Sequence, residues 1–460
     1  VELGVGGSNP PCCTKIMSKE KNLKPSKELP LGFVDRQEKE LLIRDFVISN
    51  IKEVMIKYGF QYLETPSFEY TDSIGKFLPD KERPDEGVFS FKDEKKWLSL
   101  RYDLTAPLAR YVAKNYLELP KPFKRYQLGT VWRNEKPGPG RFREFLQFDA
   151  DYVGTKNLQA DAELCVLISE ILERCGLDKA DYTVKISSRK FTDKLFEELK
   201  IKSKDQISIT LRALDKIDRL GWGEAKKLLG EGRKDKSGDY TKGANLKSDQ
   251  IKIIENALRS KTPESEDILE IVKIFQDYNF KNYKFDPTVI RGLEYYTGPI
   301  FEVNLNFEVK NSKGQAIQFG SIGGGGRYDN LVSNFGNFDC PATGISIGLD
   351  RLVFALMQKK DFKIKTTRPI VICVFDKKKN EEYIRILNKL RVSNISSEIY
   401  PGEGKLKKQM EYANKIGSPA VILYGDDEIK FGKVTLKILE SGKEISVTIE
   451  DLENEIKKLL

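Results

Sequence analysis

Polar and charged residues at alternate positions mark two predicted strands within residues 123–154, which are joined by a loop rich in glycine and proline. In the second strand, every other residue from Arg143 to Asp151 falls on one side, because successive side chains of a strand point to opposite faces. Arg133 of the first strand would share a floor with Gln147 and Asp151 of the second. One cation and two polar groups on a rigid sheet suit an anionic ligand that also forms hydrogen bonds. An ordinary amphipathic hairpin with a solvated charged face fits the pattern equally well.

Two further stretches carry residues that could bind a ligand. Asp103 and Thr105 are two positions apart, so both can point to one side of an extended segment, although Asp103 could instead cap the helix predicted to follow. A turn at Arg291 leads into the pair Tyr295 and Tyr296. The tyrosine rings could also belong to the core, and Arg291 could be a surface ion-pair partner.

Glycines and a cation mark another candidate region. Four consecutive glycines at 323–326 precede Tyr328, and because they lack Cβ atoms some group must approach their backbone closely. The run lacks the Lys-Ser/Thr of a P-loop, so it is a weak nucleotide signal. Arg351 is predicted in the first turn of a helix, where the helix dipole disfavours a cation. A nearby anionic ligand therefore explains Arg351 better than stability does.

The composition limits the chemistry that the chain can use. Its 460 residues include no histidine, which excludes every mechanism that needs a histidine base, nucleophile or metal ligand. The six cysteines form no CxxC pair, so neither a zinc site nor a disulfide framework is indicated, and a reducing, cytoplasmic setting fits best. With 78 Lys+Arg and 69 Asp+Glu the net charge is +9, which is compatible with an RNA partner. No apolar run approaches the roughly 20 residues that span a bilayer.

Periodicity and composition divide the chain into segments. Residues 1–30 have the composition of a disordered tail, within which we expect Met17 to be the biological start. Residues 31–357 form the main predicted domain, interrupted at 190–278 by a charged helical insertion. A Lys-rich linker at 358–367 leads to residues 368–460, where strands and helices alternate as in a compact α/β domain with a mostly parallel sheet.

Several of these stretches resemble the class II aminoacyl-tRNA synthetases, and within that class the histidyl-tRNA synthetases. The pair WRNE and FREFLQFDAD resembles motif 2 of the class, GISIGLDRL resembles motif 3, and the helix and strand that end at Pro66 resemble the weaker motif 1. RGLEYYTGPIFEV and GGGGRYDNL resemble the two signatures of the histidyl enzymes, and LRYDLTAPLARY and EYANKIGSPAVILYG are also similar to that family. The resemblance covers about residues 31–460. It implies an α+β catalytic domain built on an antiparallel sheet with flanking helices, a helical insertion and a C-terminal α/β anticodon-binding domain.

The resemblance also implies a reaction in two steps. Histidine and ATP form histidyl-adenylate and pyrophosphate, and the 3′ end of histidine tRNA then takes the histidyl group. Arg133 and Arg291 are the implied catalytic residues, because both act at the α-phosphate, where Arg291 takes the place of a metal ion. The implied substrates and partners are L-histidine, ATP with Mg²⁺, histidine tRNA and a second copy of the chain in a cytoplasmic homodimer.

Three sets of binding residues follow from the same resemblance. Asp103, Thr105 and Gln147 would hold the substrate ammonium. Asp151 and Tyr296, with Tyr295 beside them, would recognise the imidazole, and Tyr328 would line the pocket. The full implied sets are Asp103, Leu104, Thr105, Arg133, Gln147, Asp151, Arg291, Tyr295, Tyr296 and Tyr328 for histidine, Arg133, Glu135 and Arg351 for ATP, and Lys136, Arg141 and Arg143 for the tRNA acceptor end. No metal ligands are implied among the protein side chains.

The chain departs from the commonest bacterial pattern of the family. Asn134 replaces a usual histidine, and Asp103 and Asp151 replace usual glutamates, as in eukaryotic relatives. The loop at 135–142 resembles that of a bacterial subgroup whose histidine tRNA lacks the extra 5′ guanine, so we hypothesise that the tRNA end is recognised differently. Two alternatives remain open at this point. One is a non-catalytic paralogue that regulates histidine biosynthesis, and the other is an RNA-binding module with a degenerate synthetase core.

Overall fold

The computed structural model describes residues 26–74, 87–138, 140–234, 238, 240–260, 262–263, 265–290, 296–311, 313–317, 319–336, 338–364 and 368–459, without the side chains of 218 and 219. The chain divides into two compact units, one ending at Phe362 and the other beginning at Lys363. Within the described residues, every helix is too short or too polar to cross a membrane.

The helices and strands of the described residues are numbered in chain order. The helices are α1 (Glu38–Lys57), α2 (Thr71–Ile74), α3 (Thr105–Lys114), α4 (Leu158–Arg174), α5 (Arg189–Glu198), α6 (Lys204–Asp215), α7 (Ile217–Leu220), α8 (Trp222–Leu229), α9 (Ser248–Leu258), α10 (Glu266–Asp277), α11 (Leu349–Gln358), α12 (Asn380–Val392), α13 (Leu406–Lys415), α14 (Asp426–Phe431) and α15 (Leu452–Leu459). The strands are β1 (Gln61–Tyr62), β2 (Phe68–Tyr70), β3 (Ser90–Asp93), β4 (Lys96–Leu100), β5 (Phe123–Trp132), β6 (Glu144–Val153), β7 (Tyr182–Ser188), β8 (Gly232–Lys234), β9 (Tyr240–Lys242), β10 (Tyr283–Phe285), β11 (Pro299–Leu305), β12 (Val309–Lys310), β13 (Ala316–Ile317), β14 (Ser321–Arg327), β15 (Ala342–Gly348), β16 (Ile370–Ile372), β17 (Ser397–Ile399), β18 (Ala420–Leu423), β19 (Lys433–Ile438) and β20 (Glu444–Thr448).

An eight-stranded sheet forms the centre of the first unit, in the order β1-β5-β6-β15-β14-β11-β7-β10. The six inner strands pair antiparallel with one another. The edge strands β1 and β10 pair parallel with their neighbours. Helix α1 packs against α4 and α11, and these two helices pack onto the sheet. The predicted antiparallel sheet with flanking helices is therefore confirmed.

The amphipathic pattern of α1 accounts for its packing. Ile43, Val47, Ile51 and Val54 recur at spacings of three and four residues and are all buried. Such a stripe covers one side of a helix, so α1 turns its apolar side to α4 and α11 and its charged side to solvent. The helix ends just before Gly59, whose φ of +72° lies in the left-handed region that favours glycine.

The glycine run lies in the middle of β14, and the group that approaches its backbone is the neighbouring strand. Gly325 pairs with Ile345 of β15, and a Cβ atom at Gly325 would lie 2.0 Å from the carbonyl oxygen of Gly344. The sequence correctly predicted a close approach here. The close approach is made by the backbone of the neighbouring strand in the sheet. Side chains in this run of glycines would clash with that backbone.

The insertion is mainly helical and has a core of its own. Helices α5, α6, α8 and α9 bury Leu195, Leu214, Leu229 and Ile254 in one cluster. Between α8 and α9 lies the small hairpin of β8 and β9, which the sequence did not predict. Helix α10 packs instead against α4 and β7 of the main sheet.

A three-stranded sheet in the order β2-β4-β3 stands beside the main sheet. Its pairing aligns Tyr70 and Phe91 with Leu98 and aligns Phe68 with Leu100, so these side chains share one face. Phe68, Tyr70 and Phe91 on that face are 44–49% exposed. The face is therefore apolar and open.

The second unit contains a five-stranded sheet in the order β17-β16-β18-β19-β20 with its own buried core. Strand β16 pairs parallel with β17 and β18. The remaining two pairings are antiparallel, so the prediction of a mostly parallel sheet was wrong for this half. The connection from β18 to β19 is short and holds only α14, whereas a parallel crossover needs a dozen or more residues.

Candidate active site

The floor of the candidate site is formed by three neighbouring strands, β5, β6 and β15. Arg125 of β5 stands opposite Asp151 of β6, and Asp151 stands opposite Gly344 of β15. A Cβ atom at Gly344 would lie 2.0 Å from Oδ1 of Asp151. Glycine is thus required at 344, because its missing side chain provides the space in which the Asp151 carboxylate lies.

Asp151 is the centre of a buried polar cluster. Its Oδ2 lies 3.0 Å from Nη2 of Arg125, and the hydroxyl group of Tyr328 donates a hydrogen bond to its Oδ1. Burial raises the pKa of Asp151 to about 7, and the charges of Asp149 and Asp103 also raise it, while Arg125 and Tyr328 lower it. A carboxyl group with this pKa is partly ionised at neutral pH, so it can accept hydrogen bonds. Small changes in the neighbouring charges would change the fraction that is ionised.

A second polar cluster lies at the start of α3. Oδ1 of Asp103 accepts hydrogen bonds from the backbone N–H groups of Thr105 and Ala106, at 3.2 and 2.9 Å. Oγ1 of Thr105 donates to Oδ2 of Asp149 at 3.2 Å, and Nε2 of Gln147 donates to Oδ1 of Asp149 at 2.8 Å. Asp103 therefore caps the helix, as the alternative interpretation held, and the cap also brings Thr105 to the sheet beside Gln147.

Arg133 joins the strand floor to the segment before α3. Its Nε donates to the carbonyl oxygen of Tyr102 at 3.1 Å, and its Nη2 lies 3.4 Å from Oε1 of Gln147. The guanidinium carbon lies 5.1 Å from the ring centre of Phe145. The predicted neighbours Arg133 and Gln147 are thus together, with the cation half-buried at the end of β5.

The tip of the hairpin carries the three residues predicted for the tRNA acceptor end and the one predicted for adenine. Glu135, Lys136 and Arg141 are exposed. Arg143 is half-buried, since its Nε donates to the carbonyl oxygen of Glu135 at 3.2 Å and its backbone N–H donates to that of Gly32 at 2.8 Å. Lys136 and Arg141 are therefore accessible to a large ligand, whereas Arg143 also braces the loop.

A pair of arginines approaches the loop before β14. Arg351 lies in the first turn of α11, as predicted, and donates to the carbonyl oxygens of Ser321 at 2.9 Å and of Phe319. Its guanidinium carbon lies 4.3 Å from the ring centre of Phe319. A Cβ atom at Gly320 would lie 3.7 Å from Nη2 of Arg351 and 3.9 Å from Nη2 of Arg141. Two cations thus converge on one glycine.

The remaining predicted residues are split between core and loop. The side chain of Leu104 is fully buried, and its carbonyl oxygen accepts a hydrogen bond from Nη2 of Arg125 at 3.0 Å. Tyr296 is half-buried against the same apolar cluster that contains the ring of Tyr328. Arg291 and Tyr295 lie outside the described residues.

Comparison with known proteins identifies the family to which this geometry belongs. Residues 32–352 match the family model described as "Histidyl-tRNA synthetase", and residues 369–459 match the one described as "Anticodon binding domain". The chain belongs to the histidyl-tRNA synthetase family. The proteins named Histidine--tRNA ligase from Bartonella quintana and Brucella suis are 43% and 45% identical to it. These alignments cover 94% and 92% of this chain and 92% and 90% of the two relatives.

Solved structures agree with the family. The histidyl-tRNA synthetase of a Nostoc species superposes with a TM-score of 0.71 at 26% identity, covering 95% of this chain and all of that one. A Bacillus halodurans structure titled as an ATP phosphoribosyltransferase regulatory subunit/histidyl-tRNA synthetase has a TM-score of 0.63 at 22% identity, over 85% of this chain and 97% of that one, which shows the shared fold alone.

As a member of this family the chain is an aminoacyl-tRNA ligase that charges tRNA with histidine, and the predicted function is confirmed. The alternative of a regulatory paralogue is not supported, because the relatives that match over nearly the whole chain are named as ligases. A degenerate RNA-binding module is equally unsupported at this level of identity to ligases over the whole chain.

Two residues of the candidate site were missed by the sequence analysis. Asp149 links Thr105 to Gln147, and it lies in the same alternation from Arg143 to Asp151 that drew attention to the hairpin. Arg125 lies opposite Asp151, so the hairpin register would have paired them. A count of cross-strand partners, in addition to same-side residues, could have found both.

Proposed function

We propose that the floor over β5, β6 and β15 binds L-histidine between two polar clusters. Asp151 and Tyr328 face the imidazole, for which they offer an acceptor and a hydroxyl group. Thr105, Gln147 and Asp149 bind the ammonium group, with Asp103 and Leu104 holding the turn that presents Thr105. Tyr296, and the tyrosine and arginine predicted at 295 and 291, complete the pocket.

ATP binds, in this proposal, from the loop side of the same floor. Arg133 stands between the histidine carboxylate and the α-phosphate, where its permanent charge stabilises the attack of one on the other. Arg351 takes the γ-phosphate end, and the convergence of Arg351 and Arg141 on Gly320 supports an anion there. Glu135 contacts the adenine, and Arg291 is the second catalytic arginine at the α-phosphate.

Mg²⁺ enters with ATP as part of the substrate. Within the described ranges, Cys, Asp and Glu side chains do not gather in threes in a way that could hold a metal ion. Mg²⁺ commonly binds nucleotide phosphates and only one or two carboxylates, so the phosphates themselves would be its main ligands.

The single observation that carries the proposal is the buried Asp151 between Arg125 and Tyr328, a few residues along β6 from Gln147, whose Oε1 lies 3.4 Å from Nη2 of Arg133. The test is ATP–pyrophosphate exchange with each amino acid in turn. We expect exchange with histidine alone, and we expect Arg133→Ala to abolish it without unfolding the protein. Pure protein that shows no exchange with histidine would contradict the proposal.

The exposed loop at the hairpin tip is the proposed contact with the tRNA acceptor end. Lys136 and Arg141 supply the phosphate contacts, and Arg143 supplies both a contact and the brace to Glu135. We propose that this loop does not require the extra 5′ guanine of the family. Charging of tRNA transcripts with and without the extra guanine tests this proposal. A strict requirement for the guanine would contradict it.

We also propose that the enzyme is a cytoplasmic homodimer whose interface includes the apolar face of β2, β3 and β4. Phe68, Tyr70 and Phe91 give that face a contiguous aromatic surface, which single soluble chains seldom expose. In support of a reducing compartment, the cysteines at 165, 175, 340 and 373 are free and buried.

Light scattering should give the dimer mass for the native chain and the monomer mass for Tyr70→Glu. Phe431→Glu, at an exposed ring of the second unit, is the matched control and should stay dimeric.

A further inference from the structure

Arg125 is a buried cation that the proposed roles leave unused. Its side chain is 0% exposed near the start of β5, directly opposite Asp151, which is 2% exposed. A guanidinium group loses its hydration when it is buried, so it persists only where other interactions offset that loss. The reason for Arg125 must therefore lie in what surrounds it.

The contacts of Arg125 are few for such a group. Nη2 lies 3.0 Å from Oδ2 of Asp151 and donates to the carbonyl oxygen of Leu104 at 3.0 Å. Its Nε and Nη1 have no hydrogen-bond partner among the described residues. An arginine whose task was to organise backbone would use more of its donors, as Arg101 does at the carbonyl oxygens of Thr65 and Thr130. We therefore attribute the role of Arg125 to its positive charge more than to its hydrogen bonds.

Acidic groups surround Asp151 on the neighbouring elements. Asp149 precedes it on β6 and Asp103 comes from the segment before α3, whereas the hydroxyl group of Tyr328, from the residue after β14, donates a hydrogen bond to it. Like charges close together disfavour ionisation, and burial does the same. Arg125 is the cation that faces this group from β5. Without Arg125, burial and the neighbouring carboxylates would favour the protonated form of Asp151.

The protonation of Asp151 decides how the pocket can bind a ring with two nitrogens. Neutral imidazole carries one N–H donor and one acceptor nitrogen. A carboxylate accepts the N–H, whereas a protonated acid would offer its own hydrogen to the other nitrogen. Tyr328 already donates to Oδ1, so an ionised Asp151 presents only acceptor capacity to the substrate.

We propose that Arg125 is a positioning residue that keeps Asp151 an obligate hydrogen-bond acceptor and thereby sets the affinity for histidine. The inference rests on the proposed function of Asp151 and goes beyond it, because it assigns specificity to a residue that does not touch the substrate. It also explains why Arg125 and Asp151 occupy one cross-strand pair, since that register keeps their separation fixed.

The test separates the charge of Arg125 from its hydrogen bond and its volume. Arg125→Gln keeps a donor for Leu104 without the charge, Arg125→Met keeps much of the volume with neither, and Arg125→Lys keeps the charge. Arg110→Gln is the matched control, because Arg110 makes a two-bond pair with Glu69, at 2.7 and 2.9 Å, and neither residue is assigned to the pocket. KM for histidine and KM for ATP are measured by pyrophosphate exchange between pH 6 and 9.

The expected shift follows from the sign of the charge effect. In the native enzyme the acceptor form of Asp151 is lost as the pH falls through about 7, so KM for histidine rises on the acidic side. Loss of the cation moves that rise to higher pH by about one unit and raises KM for histidine at pH 7.5 about threefold, because the ionised fraction of Asp151 falls by that factor. KM for ATP should change less than about twofold, and Arg125→Lys should stay close to native. The imidazole of the substrate titrates in every variant alike, so it cancels in the comparison.

The outcomes distinguish this inference from the proposed function. Native enzyme without histidine-dependent exchange would reject the proposed function itself. Native exchange together with an unshifted pH profile in folded Arg125→Gln or Arg125→Met would overturn only the role of Arg125. A profile of Arg125→Lys that shifts as far as that of the uncharged variants would overturn it as well, since the charge would then not be the cause. Two uncharged variants are made so that failure of one to fold leaves the other, and thermal unfolding reports the folding of each.

Discussion

Tyr328 shows that a residue can belong to the core and to the site together. Its ring is 2% exposed and packs with Leu108, Val112 and Leu331, as the core interpretation required. Its hydroxyl group donates to Asp151, as the binding interpretation required. The two interpretations of the sequence were therefore not exclusive, because the ring and the hydroxyl group have different partners.

Replacement of Tyr328 by phenylalanine separates the two roles. The ring remains, so the free energy of unfolding should fall by only about 1.5–3 kcal/mol, the value of one hydrogen bond to a charged group. KM for histidine should rise about tenfold, because Asp151 loses a donor that lowers its pKa. Pyrophosphate exchange and thermal unfolding measure the two effects. Tyr383→Phe, at a buried tyrosine of the second unit, is the control, and an equal rise in KM there would contradict the assignment.

The missing side chain at residue 344 is as important as any side chain present. A methyl group there would meet Oδ1 of Asp151 at 2.0 Å and would displace the carboxylate. Gly344→Ala should therefore raise KM for histidine by at least about tenfold and leave KM for ATP within about twofold. Gly223→Ala is the comparison, because a Cβ atom there meets nothing within 4 Å. A Gly344→Ala enzyme with native KM for histidine would show that Asp151 is not held as described.

Single residues differ in how far the sequence could predict them. Gln147 and Asp151 follow from strand alternation, since the period of two is a property of the backbone. The contact between Tyr328 and Asp151 joins positions 177 residues apart, so it depends on β6, β15 and β14 lying side by side. No local pattern encodes that order, and for these residues the resemblance to a family supplied what periodicity could not.

The segment before α1 is an element that the sequence analysis treated only as the start of the domain. Nη2 of Arg36 lies 2.7 Å from Oδ2 of Asp350, which is 2% exposed and also accepts the backbone N–H of Leu146 at 2.9 Å. The Arg36 guanidinium carbon lies 5.0 Å from the ring centre of Phe142. This segment therefore ties β6, the hairpin loop and the first turn of α11 together beside Arg351.

Loss of that tie should act on ATP more than on histidine. Arg36→Ala leaves Asp350 buried without its cation, and burial already raises the pKa of Asp350 while Arg36 lowers it. The start of α11 and the loop at Phe142 should loosen, so KM for ATP should rise about three- to tenfold with a smaller change in KM for histidine. Arg36→Lys should recover part of the loss. A larger effect on histidine than on ATP would argue against this coupling.

Whole elements were predicted best where one local signal decided them. The hairpin of β5 and β6 followed from the alternation of its side chains and from the turn formers between its strands. The second sheet was predicted with too many parallel pairs, because strand direction depends on the length of the connection between β18 and β19. Helix α14, only six residues long, carries too few apolar positions to show a helical period.

At the scale of the whole molecule, the chain consists of two units with separate apolar cores. The second unit buries Ile370, Tyr383, Leu390, Leu436 and Ile456 in a cluster made only of its own residues. The candidate site draws all of its described residues from the first unit. Activation of histidine and recognition of the anticodon are therefore separable in structure, and they should be separable in experiment.

A chain that ends at Phe362 provides that experiment. Each unit has its own core, so the first should fold without the second and keep histidine-dependent pyrophosphate exchange within about threefold of the native rate. Charging of tRNA should weaken, with KM for tRNA raised by about a hundredfold or more, because the anticodon-binding contacts that add to the affinity are gone. Full-length Arg133→Ala should show the reverse, with exchange abolished and tRNA binding kept. Equal loss of exchange and charging in the shortened chain would mean that the first unit needs the second to build its site.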